Sequence, residues 1–185
     1  MLNTESYIEI TPTSVVLNGQ PIPVETTGDK MLVELYRRYA GDYPKFFKMD
    51  TLCRLGFIAA EILLKDQKVD SVILANRTAS IKNDTDYLAT ISDGNYYPSP
   101  ALFVYTLPNI VTGEIAIRHH IQGETSFYIL SKPEDLEPIL QSPITKNEVN
   151  RALAAENHQS PILAGWIECP EPNNFKAKLQ IIWNN

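Results

Sequence analysis

The sequence predicts an α/β domain, a mixed sheet layered against flanking helices, and three observations point to it. A helical stripe of Leu52, Leu55, Ala59, Ile62 and Leu63 leads into the apolar run Val72, Ile73, Leu74 and Ala75. A helix followed by a strand apolar on both faces is the pattern of a covered sheet. Near the end of the chain, Phe175, Ala177, Leu179, Ile181 and Trp183 alternate with Lys176, Lys178 and Gln180, a period of two that buries one face of a strand. The length of 185 residues supports one substantial core, so residues 1–185 read as a single domain.

The elements follow in order. Residues 7–10 and 14–17 are short strands, and Asn18-Gly19 after them is a tight-turn pair. Residues 31–39 form a short helix with Leu32, Leu35 and Tyr36 on one side. The strongest helix spans about residues 50–65, its stripe facing a core while Arg54, Glu61 and Lys65 sit elsewhere. Between residues 106 and 120, the residues Ile110, Gly113, Ile115, Ala116 and Ile117 predict a buried helix in which Gly113 lets another backbone approach closely. Residues 127–130 read as a strand. Ser131-Lys132-Pro133-Glu134 and Thr145-Lys146-Asn147-Glu148 have capping-box spacing, the second opening a helix that runs to about Glu156. Residues 162–167 form a strand that pairs with the last one as an antiparallel hairpin across the Pro170–Asn174 loop, which makes the sheet mixed.

Composition excludes several classes. A formal net charge of −6 gives no electrostatic reason to bind nucleic acid, since such binding rests on Lys and Arg neutralising phosphates. The first ten residues lack a basic stretch followed by an apolar one, and no 18 apolar residues run together. The expectation is a cytoplasmic protein without membrane contact. Two cysteines make no disulfide framework, no Cys/His spacing suits zinc, and Asn76-Arg77-Thr78-Ala79-Ser80 after the buried strand contains no glycine to cradle phosphates. No metal or cofactor is expected.

Two ordered segments resemble the β-ketoacyl synthase (3-oxoacyl-ACP synthase) family. Residues 43–61, YPKFFKMDTLCRLGFIAAE, are similar to the stretch in which Met-Asp opens a long alanine-containing helix. Residues 99–123, SPALFVYTLPNIVTGEIAIRHHIQG, are similar to the family's Pro-Asn, Gly-X-Ile-Ala and Gly pattern leading into the active-site strand. The resemblance covers about residues 43–131 and implies the thiolase-like fold, with length for one layered half of the full enzyme and a mixed five-stranded sheet.

One departure bears on function. In the family, the strand after the glycine matching Gly123 leads to a nucleophilic cysteine at a helix start; here residues 126–133 read SFYILSKP. Ser131 is the nearest hydroxyl, and a serine needs a base to activate it. The other displaced-nucleophile candidates are Cys53, on the long helix with no His, Lys or helix N-terminus evident to lower its pKa, and Cys169, before Pro170 at an exposed strand end. His119 and His120 suit the C-terminal end of a helix, and His158 falls in a loop. Asp84, Asp86 and Asp93 look like a solvated helix start with Asp84 as N-cap. Phe103, Tyr105 and Leu107 with Asn109 form an apolar block that core packing explains, with an acyl-tunnel lining or subunit interface as the alternative that the resemblance implies.

The expected function is therefore a non-catalytic ketosynthase-like accessory subunit of fatty-acid or polyketide (polyene) biosynthesis. It would work as a homodimer or as a heterodimer with a catalytic ketosynthase. Two other readings are an acyltransferase or condensing enzyme with a displaced nucleophile, and a module that binds acyl carrier protein.

Overall fold

A computed structural model describes residues 2–91, 94, 97–141 and 161–184. Seven strands form one sheet: β1 (Leu2–Thr11), β2 (Ser14–Leu17), β3 (Gln20–Ile22), β4 (Ser71–Asn76), β5 (Thr125–Ile129), β6 (Pro161–Glu171) and β7 (Asn174–Asn184). Their order is β3-β2-β1-β7-β6-β4-β5. The sheet is mixed, as expected, because β4 is parallel to both β5 and β6 while the remaining pairs are antiparallel. It has seven strands rather than five. The β2–β3 hairpin extends it beyond β1, and Asn18 and Gly19 turn the chain between those two strands with positive φ at both positions.

The helices are α1 (Gly28–Tyr39), α2 (Thr51–Leu63), α3 (Ile81–Leu88), α4 (Pro100–Val104), α5 (Ile110–His119) and α6 (Leu136–Leu140). Successive side chains of a strand point to opposite faces, and the core divides accordingly. Val72 and Leu74 of β4, Leu163 and Ile167 of β6, and Phe175, Ala177, Leu179 and Ile181 of β7 join the large core under α1, α2 and α5. Ile73, Ala75, Ile162, Ala164 and Ile182 face the other way, where Leu136 and Leu140 of α6 cover them.

α2 lies at the centre of the large core, with every residue except Arg54 buried. Glu61, expected away from the core, is buried too, because α5 closes that side of α2 and brings Arg118 to it: Glu61 Oε1 and Oε2 each accept from the guanidinium at 3.1 Å. The close approach assigned to Gly113 belongs to Gly56. A Cβ on Gly56 would lie 2.4 Å from Val111 Cγ2, whereas one on Gly113 would meet nothing within 4 Å.

Two predicted caps move. Ser80, not Asp84, is the N-cap residue of α3, and Asp84 lies in its first turn. The Ser131–Glu134 capping box does not form: Lys132 precedes a single 3-10 turn (Pro133–Asp135) without a side-chain cap, because Pro133 sets that turn and α6 begins only at Leu136. The Thr145 box, the helix to Glu156, Asp93 and His158 lie outside the described residues.

Chain connectivity marks one place on this sheet. From β4 the chain passes through α5, on the large-core face, to β5 on one side of β4. It then returns through α6, on the opposite face, to β6 on the other side. Parallel crossovers are right-handed, so connections running in opposite directions take opposite faces. The carboxyl ends of β4, β5 and β6 are thus a topological switch point, where open α/β sheets form their crevices.

Candidate functional site

At the end of β4 the chain turns sharply. Asn76 is fully buried; its Oδ1 accepts from Ala79 N and its Nδ2 donates to Ala79 O, both at 2.8 Å, and Ala79 has a φ of 50°. This closed loop aims the chain into α3. Ser80 Oγ donates to Thr106 O (2.6 Å) and Asn83 Nδ2 to Leu102 O (2.7 Å), so α3 is bound to the segment that carries α4. Arg77 N donates to Glu168 Oε1 at 3.2 Å, fixing the turn to β6.

The first turn of α2 sits over the same end of the sheet. Asp50 caps it by accepting from Cys53 N at 2.8 Å, so Cys53 does lie at a helix N-terminus, contrary to the sequence expectation. That position does not activate it. Cys53 is 2% exposed, and burial, then the nearby Asp50 carboxylate, push its thiol well above the usual cysteine value. Cys169, expected at an exposed strand end, is 5% exposed within β6, and its thiol is pushed up to about 12 by burial and by Asp50. The hydrogen bond that the Asp50 carboxylate accepts from Cys53 N opposes its desolvation only in part, and the Asp50 carboxyl rises to about 6. Both thiols are thus held as neutral groups at this end of the sheet.

Asp50, Cys53, Tyr105, Leu107, Ile110 and Val111 line a crevice too narrow to hold a ligand. Tyr105 is buried, and burial pushes its phenol up to about 12. Asn109 is exposed at the start of α5, where its carbonyl accepts from Thr112 Oγ1 at 2.8 Å and its side chain caps nothing. Ser131 is exposed just after β5, without a hydrogen-bond partner among the described residues. His119 and His120 end α5, before β5 begins, and so lie at the opposite end of the sheet, roughly 16 Å away along a five-residue strand. His119 Nε2 lies 2.9 Å from Glu61 Oε1, and His120 is the left-handed C-cap residue. Neither histidine is thus brought to Ser131, Cys53 or Cys169, the candidate nucleophiles read from the sequence.

The apolar block corrects the core reading. Phe103, Val104 and Leu107 are 57%, 46% and 55% exposed, while Tyr105 alone turns inward. Two residues of α3 that the sequence reading missed, Ile81 and Leu88, are 47% and 63% exposed as well. The Tyr87 ring packs 5.5 Å from that of Phe103. Seven-residue spacing places Ile81 and Leu88 on one helix face, a signal that was present in the sequence. β5 closes one edge of the sheet, has no strand on its outer side among the described residues, and ends on Ile129, 61% exposed. An unpaired strand edge and exposed large apolar side chains grouped on a surface are both features that proteins cover.

No family model matches the chain, and no curated protein is similar to it in sequence. Solved structures are similar in fold. One is a ketosynthase (ApeO) in complex with its chain length factor (ApeC) from Xenorhabdus doucetiae, with a TM-score of 0.61, 13% identity, and coverage of 100% of this chain and 79% of that one. Another is the ishigamide ketosynthase/chain length factor, with a TM-score of 0.63, 14% identity, and coverage of 99% of this chain and 62% of that one. With the switch-point topology and the helices on both faces of a mixed sheet, these likenesses show that the chain has the thiolase-like fold of the ketosynthases.

Proposed function

We propose that this chain is a non-catalytic, ketosynthase-like accessory subunit of fatty-acid or polyketide biosynthesis, acting by pairing with a ketosynthase through the open edge of β5 and the apolar surface of α3 and α4. The observation that carries this reading is the exposure of Phe103, Val104 and Leu107, neighbours in the chain around α4, together with Leu88 of α3, on a domain that has a filled core of its own. Covering such a surface gains about 25 cal/mol per Å² of apolar area, and a specific interface needs about 800 Å² on each side. A strand added to β5 supplies main-chain hydrogen bonds and register, and the apolar face supplies the anchors. Two features support an accessory role: both thiols are buried and held protonated, and Ser131 is hydrogen-bonded to no base among the described residues. The solved neighbours, which include a ketosynthase bound to its chain length factor, make a ketosynthase the partner of choice over a second copy of this chain.

Sedimentation of the full chain mixed with a ketosynthase from the same host tests the reading. The expected result is a 1:1 complex that Phe103→Asp abolishes while the variant melts like the wild type. A stable homodimer that excludes the ketosynthase, or a complex indifferent to Phe103→Asp, overturns the pairing. Stoichiometric labelling by an acyl donor, lost in Ser131→Ala, Cys53→Ala or Cys169→Ala, overturns the non-catalytic role and names the displaced nucleophile.

A further inference from the structure

A groove of about 690 Å³ lies between the outward face of α1 and the start of α2. It is on the β1 side of α2, whereas α5 and the β5 edge lie on the other, so a partner paired at β5 leaves it open. Lys30, Val33, Arg37 and Arg38 recur along α1 at helical spacing and line one wall; Arg54 lines the other. On a chain with a formal charge of −6, this groove is net positive.

Its charges are unequally satisfied. Glu34 is fully engaged: it accepts from Thr26 Oγ1 (2.7 Å) and from the backbone N–H groups of Glu25 and Thr26, and it pairs with Arg38 at 2.9 Å. The Thr26 hydroxyl, with these partners, holds its carboxyl below the usual range. Arg38 is also bound to Pro23 O at 2.7 Å. Lys30, Arg37 and Arg54, by contrast, have no carboxylate within ion-pair distance among the described residues. Arg54 is fixed in place: its Nε donates to Phe46 O (3.2 Å), its Nη2 to Phe47 O (3.0 Å), and its guanidinium lies 5.5 Å from the Phe46 ring centroid. A guanidinium has five N–H donors, so three remain for a ligand. A partly buried cation held rigid without an anion is a preorganised half of an ion pair. The opposite end of the groove carries Glu25 and Asp29, which disfavour a second anion there.

We infer that this groove binds a small phosphorylated ligand, with its phosphoryl group between Arg37 and Arg54 and its uncharged part over Val33 toward Asp29. The volume suits a small molecule, and planar guanidinium groups suit phosphoryl oxygens. The site is separate from the pairing surface and independent of what pairs there.

Inorganic pyrophosphate is the probe, titrated calorimetrically into the full chain at low salt. The expected result is saturable one-site binding that weakens by about tenfold or more in Arg37→Ala, as loss of a charge-assisted contact requires. Arg54→Lys keeps the charge but not the fork and should weaken binding comparably, with its melting temperature recorded to separate an effect on the turn. Lys176→Ala, at an exposed position of β7, is the control for general cation attraction and should bind like wild type. Absence of saturable binding up to about 10 mM pyrophosphate, weaker than any affinity a built site should show, overturns the inference. Equal losses in Arg37→Ala and Lys176→Ala do so as well.

Discussion

Replacing Asp50 with Asn should stabilise the protein at neutral pH and leave it unchanged in acid. Asp50 caps α2 through Cys53 N, and Asn caps helices as well as Asp, so the hydrogen bond survives the change. What the change removes is the cost of an ionised carboxylate in a desolvated position. Burial raises the carboxyl from 3.8 to about 6, against a cap hydrogen bond and the charges of Lys82 and Arg54 that favour ionisation. The folded value exceeds the unfolded one, so the favourable contribution of the neutral acid is fully present below pH 3.8 and is lost as pH rises through about 6. The size is about 3 kcal/mol for a full shift of this extent, or about 2 kcal/mol after discounting for the solvent Asp50 retains. Urea denaturation at pH 4 and pH 7 measures it. For a slope near 2 kcal/mol/M, the midpoint of Asp50→Asn should exceed the wild type by about 1 M at pH 7 and match it near pH 4. A variant no more stable than wild type at pH 7, or a difference independent of pH, refutes the reasoning. Asp50→Ala loses the cap as well and should fall about 1 kcal/mol below Asp50→Asn at every pH.

Three further outcomes follow from the packing around α2. Gly56→Ala places a Cβ 2.4 Å from Val111 Cγ2 and should cost about 1–3 kcal/mol despite its better helix propensity, with Val111→Ala in the same chain restoring most of it in thermal melts. Glu61→Gln breaks a buried pairing with Arg118 and His119 and should cost about 2–3 kcal/mol at neutral pH, since Arg118 keeps Asp42 at 2.7 Å. Burial acts to raise the Glu61 carboxyl, but hydrogen bonds from His119 and Arg118 outweigh it and hold it below 4.5, so the pairing stabilises above that value and the gap to the variant should narrow as pH falls below it in urea titrations. Cys53 and Cys169 should resist a thiol-specific maleimide in the folded protein at pH 8 and react fully in denaturant, as read by intact mass.

The sequence determined the elements whose burial has a single period. The alternation from Phe175 to Gln180 placed β7 and its buried face, the run from Val72 to Ala75 gave a strand covered on both sides, and Leu52 to Leu63 gave α2. Each of these patterns is set by one neighbouring layer and can be read locally. The tertiary structure decided what depends on a second layer. Whether the block at Phe103 and Leu107 is core or surface depends on whether another element covers it, and only Tyr105 is covered. The glycine that admits α5 onto α2 could be Gly56 or Gly113 until the crossing point was fixed, and the crossing point falls at Val111. Glu61 reads as a solvent residue until α5 brings Arg118 and His119 beside it, and Cys169 as an exposed thiol until α2 closes over β6. Periodicity records how far a side chain is withdrawn from water, whereas the identity of what withdraws it is a property of the assembled layers.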